Sequence, residues 1–136
     1  MKSKHIIILL AAFTLLFACQ AEEKTIPDEL LGVWQTSEPK YDGCFFKIGK
    51  NSIIFLNKYE LSIDSNIISK TEIVPPEGEQ HTLYTIYYYK EGEEEYQFSF
   101  YYYPEEGGSI YLKNQIEIKW QKTDAQSIEE LFPKSG

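Results

Sequence analysis

Two cysteines and two histidines are the scarcest reactive side chains in this 136-residue chain, and their positions decide what chemistry is open to it. Cys19 and Cys44 are the only thiols, so they either pair with each other or serve separate purposes. No CxxC or other paired spacing points to a redox or zinc site. His5 stands in an apolar leader, which leaves His81, in the polar stretch EGEQHT, as the one histidine of the body of the chain. Metal sites and general-base catalysis usually recruit more than one such group, so His81 reads as a solvated loop histidine. Ser, His and Asp occur without the spacing or the strand–turn–helix setting of a nucleophile elbow. The acidic runs EGEEE (91–95) and PEEGG (104–108) read as solvated turns without calcium-loop spacing. A non-enzymatic chain with no metal and no cofactor is the expectation.

The fate of Cys19 depends on what precedes it. Lys2 and Lys4 form a positive n-region, followed by the apolar run IIILLAAFTLLF at residues 6–17. That run reaches about 18 Å at roughly 1.5 Å per residue, against roughly 30 Å of bilayer hydrocarbon. A cleaved signal peptide over residues 1–18 is therefore favoured over a permanent anchor helix, the competing reading. The segment LFAC, with Leu16, Ala18 and Cys19, resembles the bacterial lipobox, although Phe17 is bulkier than the usual occupant. The resemblance implies that Cys19 becomes the first mature residue and carries acyl chains, each buried methylene contributing about 0.8 kcal/mol of membrane affinity. It also implies a lipoprotein of the bacterial cell envelope. Gln20, where an Asp resembles an inner-membrane retention signal, leans towards the outer membrane in a host with two membranes. A disulfide between Cys19 and Cys44 would require the leader to stay uncleaved or unlipidated. Cys44, at the head of CFFKI, then reads as a small buried hydrophobe, with a bond to a partner or a second copy as the competing reading.

Removing residues 1–18 takes away two lysines and no acid, so the remainder carries a net charge of −10 against −8 for the whole chain. It contains no arginine. Nucleic acid is a poor partner for such a chain, because phosphate neutralisation supplies most of that affinity. Anionic headgroups repel it too, so the N-terminal lipid rather than a basic patch is expected to hold it at the membrane.

Residues 19–25 read as the lipidated cysteine and a polar tether, and residues 26–136 as one domain. IPDELLG (26–32) has the pattern of one helical turn, with Pro27 near its start and Gly32 as its stop. Strands are expected near 33–37, 44–48, 52–56, 59–63, 67–74, 82–90, 95–103, 109–113 and 115–121, separated by turn formers such as GKN, NK, DSN, PPEGEQ and PEEGG. The fold class is all-β, an antiparallel meander of roughly eight or nine strands closing into a small barrel, which removes exposed edges. A capping box of Ser127 and Glu130 in SIEELF marks a short C-terminal helical turn against the barrel end or outside.

Two hairpin registers follow from loop length. A tight loop over residues 91–94 pairs Tyr87 with Phe98, placing Leu83, Thr85, Tyr87 and Tyr89 inside with Tyr96, Phe98, Phe100 and Tyr102. Tyr84, Ile86, Tyr88, Tyr101 and Tyr103 then face outward. A three-residue loop Lys113, Asn114, Gln115 sets Ile110 against Ile118 and Leu112 against Ile116, with Trp120 also inside.

LLGVWQT (30–36) resembles the lipocalin and wider calycin signature, in which Gly-x-Trp opens the first strand after a short helical turn; Gly32, Val33 and Trp34 match. The resemblance implies a lipocalin-like eight-stranded barrel with Trp34 plugging the closed end against a cation from the last strand. Lys119 or Lys122, beside Trp120, is the nearest substitute for the arginine of that family. Gly32, Trp34 and Trp120 are thus the plug candidates. A small apolar or amphipathic ligand inside the barrel is implied as well, with Tyr87, Phe98, Phe100 and Tyr102 as lining candidates. The alternative is a filled barrel that meets an envelope protein or a glycan through the outer tyrosine-rich face of Tyr84, Ile86, Tyr88, Tyr101 and Tyr103.

Overall fold

Turn formers divide the chain after Leu31 into eight strands, each hydrogen-bonded antiparallel to its sequence neighbour, in a computed structural model that describes residues 25–75, 81–124 and 131. The strands are β1 (Gly32–Thr36), β2 (Cys44–Ile48), β3 (Ser52–Asn57), β4 (Ser62–Val74), β5 (Thr82–Tyr89), β6 (Tyr96–Tyr103), β7 (Ser109–Leu112) and β8 (Gln115–Lys122). Pairing of β1 with β8, Trp34 opposite Lys122 and Thr36 opposite Trp120, closes the barrel. Short 3₁₀ turns at Asp28–Leu30, Pro39–Tyr41 and Glu105–Gly107 complete the regular structure among the described residues. The expected all-β meander barrel is observed, and its architecture is compatible with a lipocalin-like fold. Residues 1–24, which hold the leader and Cys19, and residues 127–130, with the capping box, lie outside the described residues.

Period-2 alternation fills the interior. Trp34, Phe46, Ile48, Ile53, Tyr84, Ile86, Phe100, Tyr102, Ile110, Ile118 and Trp120 form one buried cluster with Ile26 and Leu30 from the segment before β1. Each large apolar side chain so buried contributes about 1.5–3 kcal/mol. On the opposite face of β1–β3, Val33, Phe45 and Leu56 form a smaller cluster against which Ile54 and Leu131 pack.

Three expectations are corrected. Of the strand expected at 59–63, residues 59–61 are turn, and Ser62 and Ile63 run on through the turn formers Asp64, Ser65 and Asn66 into the strand expected at 67–74 as one strand, β4. Its first half pairs with β3 and its second with β5, with a register shift between Ile68 and Lys70. Ladder pairing with β3 outweighs local turn preference, and the buried Asn66 amide is satisfied by donating to the carbonyls of Asp64, at 3.1 Å, and Ile53, at 3.5 Å.

The β5–β6 register is one residue away from the expected one: Ile86, not Tyr87, faces Phe98, and Tyr84 faces Phe100. Gly92, at φ +83°, supplies a left-handed residue in the turn, and Glu93 N donates to Lys90 O at 2.8 Å. A slip of one residue exchanges the two faces of a strand, so Tyr84, Ile86 and Tyr88 turn inward and Tyr87 outward. The β7–β8 connection is shorter than expected, with Leu112 opposite Gln115, and a register shift beyond it sets Ile110 against Trp120. Ile110, Ile118 and Trp120 stay inside, whereas Ile116, expected inside, is 62 % exposed.

Candidate functional site

The closed end is built around the Gly-x-Trp motif. Gly32 adopts φ +139°, a conformation that favours glycine, where the chain leaves the first 3₁₀ turn and enters β1. Two residues on, Trp34 is fully buried, and its indole Nε1 donates to Leu30 O at 3.0 Å. Its ring stacks on Phe46 at 6.3 Å and meets Tyr102 edge-on at 6.4 Å. Lys122 supplies the last-strand cation: its Nζ lies 5.7 Å from the Trp34 ring centroid. Trp120 sits away from this plug, one step along the barrel, against Phe46 at 5.0 Å and Tyr41 at 6.0 Å.

Beyond Trp120 the interior opens. At the end of the barrel where β2 begins and β3 ends, a recess of about 330 Å³ is walled by Phe46, Phe55, Phe98, Leu112 and Trp120. Its rim carries Tyr41, Cys44, Asn57, Asp64 and Gln115. Phe98 is the hub, with ring centroids of Phe46, Phe55 and Phe100 at 5.3, 5.4 and 5.5 Å. Tyr41, on the 3₁₀ turn between β1 and β2, accepts a hydrogen bond from Gln115 Nε2 and so partly closes the mouth. The volume is at the lower end of the roughly 300–1,000 Å³ range of small-molecule sites.

Three groups define the chemistry of this recess. The indole N–H of Trp120 is buried and has no hydrogen-bond partner among the described residues. A buried orphan donor costs about 1–3 kcal/mol, and such groups are few in folded proteins. At the rim, a hydrogen bond from Lys90 holds the Asp64 carboxyl below its ordinary range, so it is ionised at neutral pH. Cys44 is half-buried and its thiol is pushed up by burial and by the carboxylates of Glu60 and Asp42, while Sγ accepts from Asn57 Nδ2 at 3.7 Å. Its nucleophilic form is thereby suppressed.

Of the four lining candidates, Phe98, Phe100 and Tyr102 face the interior, and only Phe98 reaches the recess. Phe100 and Tyr102 are packed deeper, and Tyr87 lies on the outer wall, beneath Lys70 Nζ at 4.5 Å. Of the five partner-surface candidates, Tyr101 and Tyr103 line an outer groove. Tyr84 and Ile86 are buried in the core, and Tyr88 packs against it, as the register correction requires. Sequence reading placed Leu112 inside but selected neither it nor Tyr41 or Phe55 as a lining residue; SIIFLN is apolar on both faces and so does not orient Phe55, and nothing local marks the loop residue Tyr41. Among the described residues no group of three or more His, Cys, Asp or Glu is placed to hold a metal, and no helix is long and apolar enough to cross a membrane.

Fold and recess together define a closed eight-stranded meander barrel with a filled core and an apolar cup at one end. No protein-family model, curated protein or solved structure matches the chain.

Proposed function

We propose that this chain is a non-enzymatic, envelope-anchored lipoprotein whose barrel takes a small apolar molecule bearing an uncharged oxygen acceptor. The observation that carries the reading is the aromatic recess walled in part by Trp120, whose buried N–H has no hydrogen-bond partner among the described residues. Rings of Phe46, Phe55 and Phe98 favour an apolar body, and the indole favours a carbonyl, ester or hydroxyl oxygen. The ionised Asp64 at the rim and the acidic chain disfavour a carboxylate in that position. Thr25 and Ile26 lie near Lys50 and Pro75, at the end away from the recess. A tether over residues 20–25 spans at most about 20 Å, so lipid on Cys19 would hold the closed end near the bilayer and turn the recess away from it.

The test is organic extraction and mass spectrometry of the full chain purified from several hosts, together with titration by a ketone-bearing naphthalene fluorophore. A co-purifying apolar species and saturable probe binding are expected. Trp120→Phe keeps the apolar wall and removes the donor, so the ketone probe is expected to weaken about tenfold. A hydrocarbon analogue should be little affected. Clean extracts with no saturable binding sink the reading.

A further inference from the structure

On the outer wall of the same barrel, β6 and β7 carry a second feature that owes nothing to the recess. Tyr101 pairs with Tyr111 and Tyr103 with Ser109, so these four side chains form two adjacent rows on the outer face. His81, just before β5, adds a fourth ring: it meets Tyr101 edge-on at 5.1 Å and lies tilted against Tyr103 at 4.9 Å. Tyr103 in turn meets Tyr111 edge-on at 5.3 Å. Mutual packing leaves these rings little rotamer freedom to lose on binding. They line a groove of about 630 Å³, bordered by Glu105 and Lys113.

Ser109 lies within this groove, is only 2 % exposed, and its Oγ has no hydrogen-bond partner among the described residues. An unsatisfied hydroxyl that can both donate and accept, among aromatic faces, calls for a ligand with apolar patches and two-way hydrogen-bonding groups. We propose that this groove binds a neutral saccharide, whose C–H face stacks on the tyrosine rings, whose hydroxyls engage Glu105 and Lys113, and one of whose hydroxyls reaches the buried Ser109 Oγ once a covering ring shifts. One acidic and one basic border residue favour a ligand without net charge. A peptide adding itself as a strand is disfavoured, because β6 and β7 already have both neighbours in a closed barrel. A proline-rich peptide offers few donors for Glu105, since prolyl units lack N–H groups.

The test applies the full chain, in detergent, to a neutral-glycan array and a proline-rich peptide array. Wild type is expected to bind glycans. Ser109→Ala is expected to weaken binding about tenfold without lowering the melting temperature, since it deletes an unsatisfied group. Tyr101→Phe keeps the stacking ring and should retain most of the binding, whereas Tyr101→Ala should abolish it. Trp120→Phe, in the recess, should leave glycan binding unchanged. No bound glycan, binding of proline-rich peptides alone, or full binding by both Ser109→Ala and Tyr101→Ala overturns the assignment.

Discussion

Tyr84 shows how one side chain ties the barrel to the turn that precedes it. Its ring stacks on Phe100 at 5.5 Å within the core, and its hydroxyl donates to Glu29 Oε1 at 3.3 Å. Burial, then the Glu29 charge and hydrogen bond, push the phenol up to about 12. The native state therefore holds this proton more tightly than the unfolded chain, whose tyrosines titrate near pH 10. That stabilisation is fully present below pH 10 and is lost as pH rises towards 12. Urea unfolding across this window should show wild type losing on the order of 1–2 kcal/mol more than Tyr84→Phe, which cannot ionise there. Equal alkaline losses in the two proteins would refute this account. Gly32 and Trp34 were legible at this scale because a three-residue motif marks them. The cation over Trp34 was narrowed only to Lys119 or Lys122, since the choice depends on the β1–β8 register.

At the scale of elements, loop geometry settles which face of each strand is buried. The run TLYTIYYY has large apolar or aromatic side chains on both faces, so composition cannot orient β5. Gly92 decides it, by allowing a turn that sets Tyr88 opposite Tyr96. A Cβ at Gly92 would meet nothing within 4 Å, so substitution there acts through the backbone alone. Gly92→Val is expected to cost roughly 1–2 kcal/mol, and Gly92→Asn distinctly less, because asparagine tolerates the left-handed region. Denaturant midpoints measure both; a valine variant as stable as wild type would show that the turn does not require this conformation. β4 carries the converse lesson. DSN is a sound local turn signal, but pairing with β3 carries the strand through it to the point where β5 takes over.

At the scale of the molecule, a filled core and a recess coexist because Trp34 and its neighbours occupy one end, while Phe46, Phe55, Phe98, Leu112 and Trp120 wall an unfilled space at the other. The lipidation proposed at Cys19 predicts an intact mass for the membrane-extracted chain that starts at residue 19 and includes acyl chains. Cys19→Ser should move the protein to the soluble fraction or leave an uncleaved precursor; an unmodified wild-type chain still beginning at Met1 would refute the anchor. Alternating apolar positions and turn formers suffice to determine an antiparallel all-β barrel and the motif at its mouthward-leading first strand, because side-chain period and turn preference are local properties. The recess, the outer groove and the inward turn of Tyr84 were decided only by tertiary structure. Each depends on strand register, and a register is set by pairing between segments distant in sequence, which local periodicity does not encode when both faces of a strand are apolar.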